Sequence, residues 1–384
     1  MKNNIAIFTG SRAEYSLLFP LIKKIQNNFL YNCDVVVTGS HLLKKFGLTI
    51  DEIKKDKIKN IYKIKILNEN LSDDKICEYM GVALKKFSNF LNKKNYKFII
   101  VLGDRYEMLI AAISALINRI KIVHIHGGEV TMGAYDDAIR HSISKMSSIH
   151  YVTHETYKKR LIQLGENKKY IFNCGGLGAY NIRNTKVLDR INLEKNLKIK
   201  FQEKIFLITL HSTTLEKLST ERNLKELMIA LSKFPSVTKI FTFNNADSDS
   251  NSIYPIYKKF LKKNKNSYII KSLGRLNYLS ILNHCNLILG NSSSGILEAP
   301  SYKIPTINIG TRQKGRVMPF SILNCNFLHK EIIKKIYYSQ SKKFQKKLNK
   351  VKNPLEKKNT IEIIINNLSK IDQVSIMKQF NDIR

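Results

Sequence analysis

Short runs of consecutive apolar residues, closed by glycine or a polar residue, recur along the chain and alternate with stretches whose apolar positions repeat at helical spacing. In the first half the runs are Ile5 to Thr9, Cys33 to Thr38, Phe98 to Leu102, Ile120 to His126, Ile149 to Thr153 and Tyr170 to Cys174. Unbroken runs of this length mark strands buried on both faces of a parallel sheet. Between the first two runs, Leu17, Leu18, Leu21, Ile22 and Ile25 share a helical face. Pro20 is expected in the first turn of that helix, where its missing N–H costs little. The alternation predicts βαβ units with right-handed crossovers.

A polar, charged interval over residues 183–203 interrupts the pattern. It resumes with Ile205 to Leu210 and continues through Lys239 to Phe243, Tyr268 to Lys271, Leu287 to Leu289 and Pro305 to Ile309. After about residue 325 the chain is lysine-rich and helical in pattern, with Pro354 separating two segments. With 384 residues and 43% hydrophobic content the chain exceeds one ordinary core. The reading is therefore α/β, two doubly wound domains, residues 1–190 and 191–365, facing each other across a cleft lined by strand carboxyl ends.

Charge changes this picture less than its size suggests. The net charge of +35 is that of a nucleic-acid binder. Yet the lysines are spread over nearly every helical stretch, as in Lys23-Lys24, Lys85-Lys86 and Lys262-Lys263, and no basic-aromatic motif accompanies them. Nucleic acid is not the expected partner; a positive surface helps gather a diphosphate. Five scattered cysteines without a CxxC pair read as buried small hydrophobes. The start, MKNNIAIFTG, lacks a signal-peptide pattern, and no run has the length of a membrane span, so a cytoplasmic protein is expected with no membrane partner.

Polar residues with chemical potential gather just past the strands. Thr9 to Ser16 forms a glycine turn entering a helix, which presents N–H groups and Arg12 to an anion. Gly290-Asn291-Ser292-Ser293-Ser294-Gly295 is its counterpart in the second half, with Glu298 beyond it placed to accept from a ribose hydroxyl. Arg312, Lys314 and Arg316 add cations at the same sheet edge. A third group comprises Gly103-Asp104-Arg105, His124-Ile125-His126-Gly127-Gly128-Glu129 and Asp136-Asp137-Ala138-Ile139-Arg140-His141. His124 and His126, two apart on a strand, should share a face. With Glu129 they superficially resemble metal ligands, but no metal or other cofactor is expected. One of Asp136 and Asp137 is expected to cap a helix, and Asp104 with Arg105 reads equally as a structural ion pair. His211, closing a strand in Leu210-His211-Ser212-Thr213, is either a site residue or a satisfied structural histidine.

SRAEYS, GDR, HIHGGE, DDAIRH and GNSSSGILE occur in the order and approximate spacing of the UDP-N-acetylglucosamine 2-epimerase family. The chain resembles most its hydrolysing branch, which begins sialic-acid and legionaminic-acid synthesis. The resemblance covers roughly residues 4–320 and implies a glycosyltransferase-B-like fold of two Rossmann-type domains whose last helix, within residues 366–384, packs back on the first. It places Arg12, Ser16, Arg105, His211, Ser292, Ser293, Glu298 and Arg312 near the nucleotide, joined by the neighbouring hydroxyl of Ser294. It places Asp104, Glu129 and Asp136 near the sugar. Non-hydrolysing relatives carry a glutamate where this chain has His126, so the acid or base role is shared between His126 and Glu129 without assignment.

The chemistry that follows is elimination. The C2 hydrogen of a 2-acetamido sugar has no adjacent carbonyl, so loss of the nucleoside diphosphate must lead or accompany its removal. A carboxylate from Asp104, Glu129 or Asp136 takes the proton, and a glycal results. Proton return from the other face and water addition at C1 complete the reaction. The expected partners are a nucleotide sugar and further copies of the chain, as dimer or tetramer. A non-hydrolysing epimerase or a glycosyltransferase of the same fold is the alternative.

Overall fold

A computed structural model describes residues 2–68, 70, 72–211, 220–242, 250–270 and 272–382. Phe243 and Lys271, the last residues of two expected strands, lie outside the described residues, as do Ser212 and Thr213. The chain divides into two compact units, one formed by Met1–Glu129, Tyr135–Asn181 and Lys357–Arg384, the other by Val130–Ala134 and Ile182–Glu356.

The first unit holds a seven-stranded sheet of β1 (Asn3–Thr9), β2 (Tyr31–Val37), β3 (Ile61–Lys63), β4 (Tyr96–Leu102), β5 (Lys121–Ile125), β6 (Ile149–Val152) and β7 (Ile171–Asn173), in the order β3-β2-β1-β4-β5-β6-β7. Every neighbouring pair is parallel. The reversal of strand order between β1 and β4 is the switch point at which doubly wound sheets bind ligands. β1 shows why its apolar run is unbroken. Ile5 and Ile7 enter one core with Leu18, Leu21 and Ile22, while Phe8 turns to the other face and meets Phe87 edge-on at 5.2 Å. The second unit repeats the plan with β8 (Lys204–Thr209), β9 (Val237–Thr242), β10 (Ser267–Ile270), β11 (Leu287–Gly290), β12 (Thr306–Ile309) and β13 (Ile322–Cys325), ordered β10-β9-β8-β11-β12-β13 and also parallel throughout. Here Phe206 and Ile208 pack into one core and Ile205 and Leu207 into another. Both units are Rossmann-type α/β domains, as expected.

Several local expectations need correction. Pro20 lies in the middle of the Arg12–Gln26 helix. It removes the N–H that would bond the Ser16 carbonyl, and the Asn181 side chain supplies a replacement at 2.7 Å. Cys77 is exposed, unlike the other four cysteines. The first unit ends at Asn181 rather than at residue 190, since Leu177 joins its core while Ile182 and Leu193 join a core of the second. The return begins at Lys357 rather than 366, because Ile361 and Ile364 already pack into the first core. No helix among the described residues is long and apolar enough to cross a membrane.

Candidate active site

The carboxyl ends of β4 and β5 carry the densest polar cluster of the first unit. Arg140, from the Asp136–Met146 helix, gives Nη2 to an Asp104 carboxylate oxygen, and its Nη1 donates to the His126 carbonyl at 3.0 Å and lies 3.8 Å from Glu129 Oε2. Burial opposes the Arg140 charge, but Asp104, Glu129, Asp136 and Asp137 outweigh it and raise its pKa further. The guanidinium is thus a fixed positive centre between carboxylates. Glu129 Oε1 accepts from Thr153 Oγ1 at 3.0 Å and lies 3.2 Å from His126 Nδ1. His126 and Glu129 are buried, whereas Asp104 keeps 19% of its side chain exposed. Nε2 of His126 is buried without a partner among the described residues.

A left-handed turn produces this arrangement. β5 ends at Ile125, and His126 adopts φ +66°, which breaks the alternation of the strand. His124 and His126 therefore do not act together. His124 turns inward, where Nε2 meets the Gly103 carbonyl at 2.8 Å and Nδ1 meets Ser144 Oγ at 3.0 Å. Burial lowers its pKa to about 3, so the ring is neutral, donates through Nε2 and accepts from the serine. His124 is thus a strut, both ring nitrogens being engaged by the protein itself. Two glycines then let the chain pass between packed elements. A Cβ on Gly127 would lie 2.8 Å from Ser144 Oγ, and one on Gly128, at φ +74°, would lie 2.5 Å from the Tyr157 carbonyl.

Asp104 and Arg105 each find a partner elsewhere: Asp104 pairs with Arg140, and Arg105 Nε donates to the buried Glu107 at 3.1 Å. Tyr135 occupies the N-cap of the Asp136–Met146 helix, so neither Asp136 nor Asp137 caps it. Both stand in its first turn, where the helix dipole favours a carboxylate. At the β1 turn, Ser11 caps the helix opened by Arg12 and accepts from Glu14 N, while Glu14 Oε2 reaches back to Gly10 N at 2.6 Å. This is a capping box one residue wider than usual. Burial, then neighbouring Glu107, pushes Glu14 up to about 8. Ser16 lies one turn further along this helix and is half-buried.

In the second unit β8 and β11 approach so closely that a Cβ on Gly290 would lie 1.9 Å from the Thr209 carbonyl. Asn291, next in line, ties both strand ends: its Oδ1 accepts from His211 N at 2.7 Å and its Nδ2 donates to the His211 carbonyl at 2.8 Å. Arg312 Nη1 and Gln313 Nε2 both donate to the Asn291 carbonyl, at 3.1 and 2.8 Å. Ser292, Ser293 and Ser294 follow; Ser292 Oγ accepts from Ser294 N, and Ser294 Oγ bonds Tyr278. The helix they open, Ser294–Leu297, is a single turn, so hydroxyls and loop N–H groups dominate over any helix dipole. Glu298 caps it, 9% exposed, and burial raises its carboxyl to about 7 against a hydrogen bond from Ser294. Arg316 is committed to the chain itself, donating to the Val130 carbonyl at 2.8 Å and to Thr131 Oγ1 at 3.2 Å.

The structure thus brings Asp104, His126 and Glu129 together through Arg140, places Asp136 one turn before Arg140, and groups His211, the three serines, Glu298 and Arg312 around Asn291. Arg140, named only within its motif, and Glu107 and Glu14 were given no role from the sequence. The first carried a signal: Asp136 and Arg140 are four apart and share a helix face.

The family model described as UDP-N-acetylglucosamine 2-epimerase matches residues 23–369. The chain is 43% identical over 326 residues to the GDP/UDP-N,N'-diacetylbacillosamine 2-epimerase (hydrolyzing) of Campylobacter jejuni, covering 84% of each chain. It is 38% identical to a polysialic acid biosynthesis protein of Escherichia coli, over 98% of this chain and 94% of the other. Among solved structures, a UDP-N-acetylglucosamine 2-epimerase from Neisseria meningitidis bound to UDP-N-acetylglucosamine superposes with a TM-score of 0.80 at 19% identity, covering 96% of this chain and 100% of that one. Matching over almost its whole length, and carrying the expected motifs at the ends of the expected strands, the chain belongs to the UDP-N-acetylglucosamine 2-epimerase family.

Proposed function

We propose that this protein is a hydrolysing 2-epimerase of the cytoplasm. It takes UDP-N-acetylglucosamine, or a UDP- or GDP-linked 2,4-diacetamido-2,4,6-trideoxyglucose, and releases the free manno-configured sugar and nucleoside diphosphate for sialic or legionaminic acid synthesis. The observation that carries this reading is the Asp104–Arg140–Glu129–His126 cluster at the ends of β4 and β5, an acid–base constellation in which two carboxylates share one buried guanidinium. The hydrolysing relative at 43% identity supports release of a free sugar.

In this reading a carboxylate among Asp104, Glu129 and Asp136 removes the C2 proton as the C1–O bond breaks, the bonding electrons leaving with the diphosphate and a C1=C2 double bond forming. Water then adds its hydroxyl at C1 while a proton is delivered to C2 from the opposite face. His126 suits a relay role, since Glu129 beside Nδ1 fixes the proton there and leaves the Nε2 lone pair to take up a proton and pass it on to C2. Arg12, Ser16, Arg105, Arg312 and the hydroxyls of Ser292, Ser293 and Ser294 hold the diphosphate as its charge develops. Glu298 receives a ribose hydroxyl, and His211, held by Asn291, faces the same ligand.

Turnover in deuterated water tests this directly. The expected product is a manno-configured 2-acetamido sugar carrying deuterium at C2, with free nucleoside diphosphate. Asp104→Asn should lower turnover by about 10²–10⁴-fold while nucleoside diphosphate affinity stays near wild type. A gluco-configured product, protium retained at C2, or an intact nucleotide-linked product would overturn the reading, the last in favour of a non-hydrolysing epimerase.

A further inference from the structure

The last helical element among the described residues is the short 3-10 turn Ser369–Gln373. Beyond it, residues 374–382 follow the first unit as a strap without regular secondary structure. Apolar packing anchors only the start of this strap, where Val374 lies against the first core; Ile376 and Met377 are exposed, Met377 to 81%. Polar bonds hold the rest. Lys378, its side chain only 28% exposed, gives Nζ to the carbonyls of Ser144, Lys145 and Ser147 at 3.2, 2.7 and 2.6 Å and pairs with the buried carboxylate of Glu166. Phe380 lies against Gly165, where a Cβ would come within 2.5 Å of the ring, and under the Lys145 ammonium at 4.4 Å. Asn381 N donates to the Gly165 carbonyl at 3.0 Å.

The three carbonyls taken by Lys378 belong to the C-terminal end of the Asp136–Met146 helix, where a cation satisfies orphan acceptors and opposes the helix dipole. Burial lowers the Lys378 pKa to about 8 while Glu166 works to raise it, so the ammonium is charged at neutral pH. Glu166 is itself fixed by His150 Nε2 at 3.0 Å and by Lys145 Nζ at 3.1 Å. Arg140 stands one turn before Ser144 in the same helix, and Asp136 opens it. A second line of bonds leaves from Ser144, whose hydroxyl meets His124 while that ring holds the Gly103 carbonyl, directly before Asp104. One ammonium therefore joins the strap to the end of a helix that presents Arg140, and the same helix reaches the Asp104 turn through a neutral histidine.

We propose that the strap is a positioning element for the reaction and that Lys378 is its positioning residue, setting the Asp136–Met146 helix so that Arg140 meets Asp104 and Glu129. This rests on the proposed function for its catalytic consequence and on geometry alone for its structural one. Reactive groups misplaced by about 1 Å lose large factors in rate, so a small shift of this helix is read in kcat before it is read in binding.

The test uses the full chain with Lys378→Met, Lys378→Arg and a stop after Gln373. Nucleoside diphosphate release gives kcat and KM, and amide hydrogen exchange is followed over the Asp136–Met146 helix. Lys378→Met and the truncated chain are expected to lose about tenfold or more in kcat with little change in KM, and to exchange faster over that helix, while Lys378→Arg keeps most of both. A lowered melting temperature with wild-type kcat would reduce the strap to a simple anchor and overturn the proposal. Should the wild type release no nucleoside diphosphate, the functional reading fails, and the exchange comparison decides the strap alone: unaltered exchange in Lys378→Met overturns it.

Discussion

Glu298 is buried, and burial holds its pKa at about 7 against the hydrogen bond from Ser294. Because the folded value is raised above 4.5, the folded protein keeps a proton that the unfolded chain gives up. Its contribution to stability is complete below pH 4.5 and is lost as pH rises to about 7. A ribose hydroxyl donating to Glu298 favours the ionised form, so nucleoside diphosphate binding should strengthen by roughly tenfold between about pH 6 and pH 8. Calorimetry on wild type and Glu298→Gln checks this. The phosphate of the nucleotide titrates in both proteins, so the expected result is a pH slope that shrinks in the variant, and equal slopes would remove Glu298 from the ribose. At this scale Asp104, His126 and Glu129 were legible as polar residues standing just past apolar strands. The link from Arg140 to Asp104 was not, because spacing does not encode it: the two residues lie 36 positions apart. The inward turn of His124 was hidden for a related reason, since periodicity assumes that the strand continues, and φ +66° at His126 ends it.

Among the elements, the strand ends at β8 and β11 are the most constrained. Gly290 pairs with Thr209 in the parallel ladder and turns at φ +130°. An alanine there places Cβ against a backbone carbonyl, which cannot rotate away. Gly290→Ala should therefore cost about 1–3 kcal/mol from overpacking, with backbone strain added, and should displace Asn291, which joins His211 to Arg312. Denaturant unfolding should show the loss, and nucleoside diphosphate affinity should fall with it; an alanine variant with wild-type stability and binding would contradict the close approach. The buried strands were readable because both faces of each are apolar. β3 and β13 were not read. Ile61-Tyr62-Lys63 is a largely exposed edge strand, and Ile322-Leu323-Asn324-Cys325 is half-exposed, so neither presents an unbroken apolar run. Pro20 shows the limit of a local rule, for a proline is tolerated mid-helix where a distant side chain, here Asn181, takes over the orphaned carbonyl.

At the scale of the whole molecule, two alternating halves were visible in the pattern, whereas the crossings between them were not. Residues 130–134 belong to the second unit although the first continues on either side, and the chain returns to the first unit at Lys357. The Thr360–Leu368 helix has an apolar face at helical spacing, and such a face shows that something covers it without showing which core does. Ile361, Ile364, Leu368 and Ile371 are all buried in the first core beside Ile5, Leu18 and Ile22. At about 1.5–3 kcal/mol for each buried side chain, the four contribute on the order of 6–12 kcal/mol, comparable to the whole stability of a typical domain, about 5–15 kcal/mol. A chain ending at Glu356 should consequently fail to fold its first unit while the second, whose residues are all retained, still unfolds cooperatively. Calorimetry and limited proteolysis should show one transition lost and a protected fragment starting near Ile182. The chain stopped after Gln373 keeps all four side chains and should retain both transitions, so its losses report on the strap. If the chain ending at Glu356 kept two cooperative transitions, the terminal helix would be an accessory to the first core and not a part of it.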